Sequence, residues 1–357
     1  MLFIKPIRNF YERFERPISS FSLLAGFVVD IFTLNRVDAF FENFWIFGYL
    51  VIIGTFIILI HVKEGTASAQ AHFWYVNILQ FAFGGVFSAF LILYFRSADI
   101  MVAWPFIALL AGIFIANEFL KKHYIRLGFQ ISLFFFSIYF FLIFLIPVLL
   151  RKVGVEIFLL SGLISLLAIG LFIKILFYFT KNESVKSKKF IALLITIVFI
   201  STNLLYFTNL IPPIPLSLKD GGIFHSIQKN GVGNYRVVYE DRGWREYFKL
   251  YKDFEYQAGN PVYAFSAIFS PKNFKFSIVH EWQYYNETQN KWITERTINL
   301  PVTGGREGGF RTYSLRTNLK LGKWRVNVKT EHNQTIGRLR FNIVPPNPNT
   351  KLKTAIK

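Results

Sequence analysis

The sequence predicts an α-helical transmembrane bundle of about seven spans followed by an all-β antiparallel sandwich, Ig-like in type. Three observations predict it. Of 357 residues, 53% are hydrophobic and only 17% charged, and mean hydropathy is +0.38; these values fit a chain with about half its length in lipid. Apolar runs long enough to cross a bilayer recur up to residue 210. The run over 190–210 then meets Ile211-Pro212-Pro213-Ile214-Pro215, and three prolines cannot continue a helix, so the chain leaves the membrane there as a stiff extended linker. Beyond it the hydrophobic pattern alternates and turn residues appear.

Residues 2–16 place Phe3, Ile7, Phe10 and Phe14 on one helical face, with Arg8, Glu12, Arg13, Glu15 and Arg16 on the other. This pattern predicts a cytoplasmic interfacial helix over 1–17. The charged stretch is long for a signal peptide, and no small-residue cleavage site follows. The spans of the 18–211 membrane domain are expected near 18–34, 44–62, 73–95, 101–120, 128–150, 157–179 and 190–210. Asp30 interrupts the first and makes it the weakest; a six-span alternative would relocate the N-terminus.

Loop charge sets the expected orientation. The N-terminal segment and the loops after the second, fourth and sixth spans hold twelve basic residues, among them Arg8, Lys63, Lys121 and Lys188. The opposite loops hold four: Arg36, Arg96, Arg151 and Lys152. The N-terminus is therefore expected in the cytoplasm and the C-terminal domain outside, which in a bacterium means an inner-membrane protein with a periplasmic or extracellular domain. Gly84, Gly85 and Ser88, Gly112, and Gly162 with Ser165 are expected to allow close helix approach.

After the 212–218 linker, strands are expected at 262–269, 274–285, 291–299, 310–316, 323–329 and 338–344, with further ones at 235–240 and 247–256. They would form a sandwich over 219–346. The basic tail 347–357 is expected to be disordered.

The formal net charge is +19. Nucleic acid is not the expected partner, because the basic residues sit in membrane loops or are scattered among acids. The lipid bilayer, and an acidic polymer of the envelope, use that charge better. With no cysteine there is no disulfide and no thiolate chemistry. Neither His-x-x-x-His nor His-Glu-x-x-His occurs, so no metal is expected. A Gly-x-Ser-x-Gly elbow and a phosphate-binding loop are also missing, so no catalytic residue or cofactor is assigned.

Polar groups within the spans are functional candidates. Asp30 lies near the outer end of the first span, and Glu118 and Lys174 near the inner ends of the fourth and sixth. Asn77 and Gln80 lie deeper. Interfacial snorkelling and interhelical hydrogen bonds account for all five as structure; a site among the helices is the competing account. In the outer domain His280 and Trp282 share one strand face. They form either a ligand-contacting face, together with Trp292, Arg311 and Trp324, or a packed Trp with a hydrogen-bonded His beside it.

The ordered pattern His280-x-Trp282, Trp292, Arg311-x-x-Ser314, Gly322-Lys-Trp324-Arg-Val326, Gly337 and Phe341-x-x-Val344 resembles a bacterial family of polytopic membrane proteins with a C-terminal domain of unknown function. The resemblance covers about residues 240–346, and it implies no activity and no catalytic residues. The expected function is non-enzymatic: the outer domain binds an envelope protein or glycan, and the helices anchor it or relay binding. The alternative is a transporter or intramembrane enzyme with its site among the helices.

Overall fold

The computed structural model describes residues 15–34, 40–63, 69–97, 99–120, 123–124, 126–180, 185–213, 215–230, 234–241, 243, 249–270, 275–303, 309–348 and 350–357. Most of the expected interfacial helix, residues 1–14, lies outside them, as does most of the glycine loop at 304–309. The chain divides into two compact units. One comprises Met1–Arg96, Trp104–Leu150 and Val155–Ile211; the other comprises Pro212–Lys357 with Ser97–Ala103 and Arg151–Gly154.

The first unit is helical: α1 (Glu15–Thr33), α2 (Phe40–Val62), α3 (Ala69–Ser97), α4 (Ile100–Phe119), α5 (Leu127–Leu150), α6 (Val155–Thr180) and α7 (Val185–Phe207). Six of these, α2 to α7, are long and apolar enough to cross a membrane, and in α1 the apolar stretch is Leu24–Thr33. Among the described residues, six of the seven expected spans are thus long and apolar enough to cross, and α1 forms a helix at the position of the expected first span.

α5 packs against α2, α6 and α7. Between α3, α4 and α5 aromatic rings interlock: Tyr94 meets Phe106 at 4.8 Å and Phe144 at 4.5 Å between ring centres, and Phe90 meets Phe140 at 6.2 Å. Lipid tails are as apolar as these side chains, so close packing rather than water exclusion holds such helices together. Two of the small residues act as expected. A Cβ at Gly85 would fall 2.6 Å from the Tyr49 ring, and one at Gly162 would fall 2.9 Å from the Tyr139 hydroxyl; at Gly112 nothing lies within 4 Å, so that glycine makes no close approach. Leu159, Leu163, Leu167 and Leu171 form an exposed stripe along α6, which is disfavoured in water and suited to acyl chains. Hydroxyls in the spans turn back on their own helices, as Ser137 does to the Leu133 carbonyl at 2.8 Å.

The second unit is sheet-rich. Its strands are β1 (Ser217–Phe224), β2 (Ser226–Asn230), β3 (Asn234–Glu240), β4 (Lys252–Glu255), β5 (Val262–Phe269), β6 (Lys275–Asn286), β7 (Lys291–Thr303), β8 (Phe310–Arg316), β9 (Gly322–Thr330), β10 (Thr335–Val344) and β11 (Leu352–Ile356). They form three sheets ordered β1-β5-β8, β4-β10-β9-β6-β7 and β11-β3-β2. All pairings are antiparallel except β4 with β10, which is parallel, so the expectation of a wholly antiparallel domain does not hold. Asn290 and Asn333 take positive φ in the β6–β7 and β9–β10 turns, a conformation asparagine tolerates.

β5 organises this unit. Val262, Ala264 and Ile268 join a core with Ile278, Trp282, Trp324, Val326, Val328 and Phe341 of the five-stranded sheet. The alternate residues Phe265 and Ala267 join a second core with Ile227 and Val237. A strand buried on both faces needs apolar residues at consecutive positions, and Val262-Tyr-Ala-Phe-Ser-Ala-Ile-Phe269 supplies them. The tail is ordered, contrary to the expected disorder of 347–357: Leu352–Ile356 pairs with β3, residue 352 opposite 240 and 356 opposite 236. Main-chain hydrogen bonds along an open edge need no hydrophobic pattern, which is why composition gave no sign of this strand.

Candidate intramembrane ligand site

Helices α1 to α4 border a half-open cavity of 490 Å³ lined by residues within 26–34 at the end of α1, 41–49 of α2, 77–88 of α3 and 114–118 of α4. That volume is in the range of small-molecule sites. Of the five polar residues singled out within the spans, Asp30, Asn77, Gln80 and Glu118 line this one cavity. Lys174 is exposed on α6 and is not among its lining residues.

Asp30 is the more buried of the two lining carboxylates. It is 8% exposed, and Ser88 Oγ donates to its Oδ2 at 2.5 Å. Eight residues separate Ser88 from Gln80 on α3, which is about 12 Å along a helix. At Gln80 a second polar point forms. Its Nε2 donates to the Asn117 carbonyl at 3.1 Å, and Asn117 Nδ2 donates back to the Gln80 carbonyl at 3.3 Å. The pair locks α3 to α4 and satisfies main-chain oxygens in the bundle. Tyr124 donates to the Asn117 side chain, Gln130 donates to the Tyr124 carbonyl, and Gln130 Oε1 lies 2.8 Å from His61 Nε2. A polar thread therefore runs from the cavity wall to the C-terminal turn of α2.

The remaining lining is aromatic. Phe41, Trp45 and Tyr49, four residues apart on α2, bring successive rings to the cavity, with centroids at 6.2 and 5.9 Å. Tyr49 continues to Phe81 of α3 at 6.4 Å. Among the described lining residues there is no lysine, arginine or histidine, while two carboxylates are present. Chemically this is an apolar, aromatic chamber with one carboxylate beside Ser88 and another next to Asn117, suited to an organic cation carrying a hydrocarbon body. Ser88, Tyr49 and Asn117 were not singled out as site residues from the sequence. Tyr49 looks like an ordinary aromatic in a span, and Ser88 like a packing residue; only the fold puts them beside Asp30 and Gln80.

The outer-domain residues fall otherwise. His280 and Trp282 are wholly buried and Trp324 is 1% exposed, so the expected ligand-contacting face is not open at these three. They show the alternative account, packed Trp beside hydrogen-bonded His. Trp282 Nε1 donates to Ser314 Oγ at 3.0 Å, Ser314 Oγ lies 2.8 Å from His280 Nδ1, and His280 Nε2 lies 2.9 Å from Ser266 Oγ. With the ring proton on Nε2, the indole N–H, the Ser314 hydroxyl and the ring N–H each find an acceptor within this chain. Burial pushes the His280 pKa down to about 4, so the ring stays neutral. Trp324 Nε1 donates to the Lys320 carbonyl at 2.8 Å.

Trp292 and Arg311 lie on different sheets, on β7 and β8 respectively, and do not form one site. Arg311 donates to Asn234 Oδ1 at 2.6 Å. The Arg325 guanidinium lies over the Trp292 ring, 4.1 Å from its centre, with the Tyr285 ring 5.1 Å from that of Trp292. Among the described residues, no group of three or more His, Cys, Asp or Glu side chains is placed to hold a metal.

Residues 275–343, strands β6 to β10, match the family described as "Protein of unknown function (DUF2914)". The likeness of the C-terminal domain to a family of unknown function thus holds, and all five outer-domain candidates fall inside the matched segment. No curated protein matches. Among solved structures, the Pseudomonas fluorescens alkylpurine DNA glycosylase AlkC, bound to DNA containing an abasic site analog, is similar at 10% identity with a TM-score of 0.21, over 87% of this chain and 100% of that one. A likeness that loose carries no argument about fold or function.

Proposed function

We propose that this protein is an integral membrane receptor or carrier for a cationic amphiphile, bound among helices α1 to α4. The observation that carries the proposal is the Asp30 carboxylate, buried in an aromatic cavity of 490 Å³ with no basic side chain among the described lining residues. An ammonium head would gain a charge-assisted hydrogen bond at Asp30 and ring faces at Trp45 and Tyr49, and its chain would occupy the apolar wall. The site chemistry needs no catalytic group, in keeping with a binding rather than an enzymatic role.

In this reading the protein sits in a bacterial inner membrane with the sheet-rich domain, Ig-like in its layered packing, on the periplasmic or extracellular side. The asymmetry of loop charge supports that orientation. The chain lacks cysteine, so Lys63→Cys and Asn290→Cys give clean single-site probes; an impermeant maleimide is expected to label position 290 and not 63 in intact cells, and the reverse result sinks the orientation. The outer domain recognises an envelope protein or glycan, and the helices supply the ligand-responsive part.

The test of the cavity is photolabelling of the full chain in vesicles with a diazirine-bearing dodecylammonium. Labelled peptides are expected from α1, α2 and α3, competed by dodecylammonium but not by dodecanoate, and reduced about tenfold or more in Asp30→Asn, as loss of a charged hydrogen bond implies. Labelling that is indifferent to Asp30, or equally competed by dodecanoate, would falsify this function.

A further inference from the structure

The face of the five-stranded sheet opposite its core carries a concentration of arginine that the intramembrane reading does not use. Register places Arg325 of β9 directly opposite Arg340 of β10, and Arg338 opposite Asn327. Residues alternate between faces along a strand, so Arg325, Arg338 and Arg340 share one side. Like charges directly opposite on neighbouring strands destabilise a sheet, so this arrangement costs the fold stability.

Two of the three guanidiniums are held by neutral acceptors. Arg325 Nε donates to Gln283 Oε1 at 2.6 Å, and Arg338 Nε donates to Asn327 Oδ1 at 2.6 Å. Asn327 Nδ2 in turn donates to Gln283 Oε1 at 3.1 Å and to Glu281 Oε2 at 2.8 Å. This network fixes the amide orientations and aims both arginines. Glu281 also pairs with Lys329 Nζ at 2.6 Å, and Asp99 accepts the Arg338 main-chain N–H at 2.8 Å. The Arg325 guanidinium carbon lies over the Trp292 ring, 4.1 Å from its centre. Burial, then the charge of Arg338, lowers the Arg325 pKa to about 10; burial, then Arg340, lowers that of Arg338. Glu281 opposes both shifts in part, and Asp99 opposes that of Arg338.

We propose that the Arg325–Arg338–Arg340 face is an anion-binding site that takes the carboxylate groups of an acidic envelope polysaccharide. Guanidinium forks match planar carboxylates two bonds at a time. The amides of Gln283 and Asn327 set the spacing of the forks, and the tyrosine and tryptophan edges beside them suit sugar rings better than a bare phosphate. A net charge of +19 would raise the local concentration of such a polymer around the protein.

The experiment uses the full chain in neutral nanodiscs, with fluorescein-labelled oligogalacturonate as the probe and fluorescence anisotropy as the readout. Binding that weakens with salt is expected, falling about tenfold or more in Arg325→Gln and in Arg338→Gln. Arg236→Gln, which removes an exposed charge on β3, should stay within about twofold of the parent. Arg325→Lys keeps the charge and the fold but not the fork, and should also weaken binding. Equal losses in all four variants would reveal unspecific attraction and overturn the proposal, as would full affinity in Arg325→Gln and Arg338→Gln. Competition by phosphatidylglycerol vesicles but not by unlabelled oligogalacturonate would assign the face to lipid and overturn it too. Asp30→Asn is expected to leave this binding unchanged, so failure here is separate from failure of the cavity.

Discussion

Ser88 Oγ donates to the Asp30 carboxylate at 2.5 Å across 58 positions of chain, tying the weakly apolar helix α1 to the well-enclosed helix α3. In lipid no water competes for either partner, so the bond both orients the carboxylate and secures α1. Removing the donor leaves a buried acceptor with one bond fewer, which costs about 1–3 kcal/mol. Ser88→Ala is expected to lower the thermal midpoint in detergent, whereas Asp30→Asn keeps an acceptor and loses less. A double-mutant cycle that shows no coupling between the two positions would contradict the contact.

Gly85 sits against Tyr49 with no room for a methyl group. Gly85→Val should displace the Tyr49 ring, which also lines the cavity. The expected cost is about 1–3 kcal/mol for over-packing, with reduced amphiphile labelling. Gly112→Ala is the control: its surroundings are open, and alanine is the better helix former by up to about 1 kcal/mol. Thermal unfolding of both variants in the same detergent checks the contrast, and equal destabilisation would contradict the packing.

The buried His280 makes the outer domain acid-sensitive in a defined window. Its folded pKa is about 4 against an ordinary value of 6.5. Below about pH 6.5 the unfolded chain takes up a proton that the folded ring refuses, so stability falls as pH drops from 6.5 towards 4. The full shift corresponds to about 3 kcal/mol at 1.36 kcal/mol per unit. Denaturant titrations of the full chain, followed through tryptophan fluorescence at pH 7, 6 and 5, should show this loss. His280→Gln should flatten that part of the profile, though it lowers stability overall.

The C-terminal strand closes an edge. Leu352–Ile356 covers the outer side of β3, and Thr350 Oγ1 anchors the approach by donating to Glu255 at 2.5 Å. A chain ended after Asn347 exposes the β3 main chain, an open template for pairing. Faster amide exchange over residues 234–240 and concentration-dependent self-association by light scattering are expected. Unchanged exchange at β3 would show that the tail contributes nothing to the sheet.

Much of the architecture was legible in the order of residues. Span length and apolarity are local properties, so α2 to α7 emerged with boundaries close to those observed. The long alternating runs at 275–286 and 335–344 likewise declared themselves as strands. Short elements did not: β1, with Gly221-Gly222 in its middle, β2 and β11 lack a run long enough to show period two. The candidate site was half visible. Asp30, Asn77, Gln80 and Glu118 attracted notice because polar groups are costly in lipid, but nothing local separated them from Lys174.

By itself, then, the sequence determined that this is a membrane protein with a β-rich C-terminal domain resembling a family of unknown function, because hydropathy, proline placement and short motifs act within a few residues. Only the tertiary structure decided which polar groups meet. Four helices converge to put Asp30, Ser88, Gln80 and Glu118 around one cavity, β5 divides its side chains between two cores, and strand register sets Arg325 opposite Arg340. These relations join positions far apart in the chain, and they follow from how whole helices and sheets pack, which no local pattern encodes.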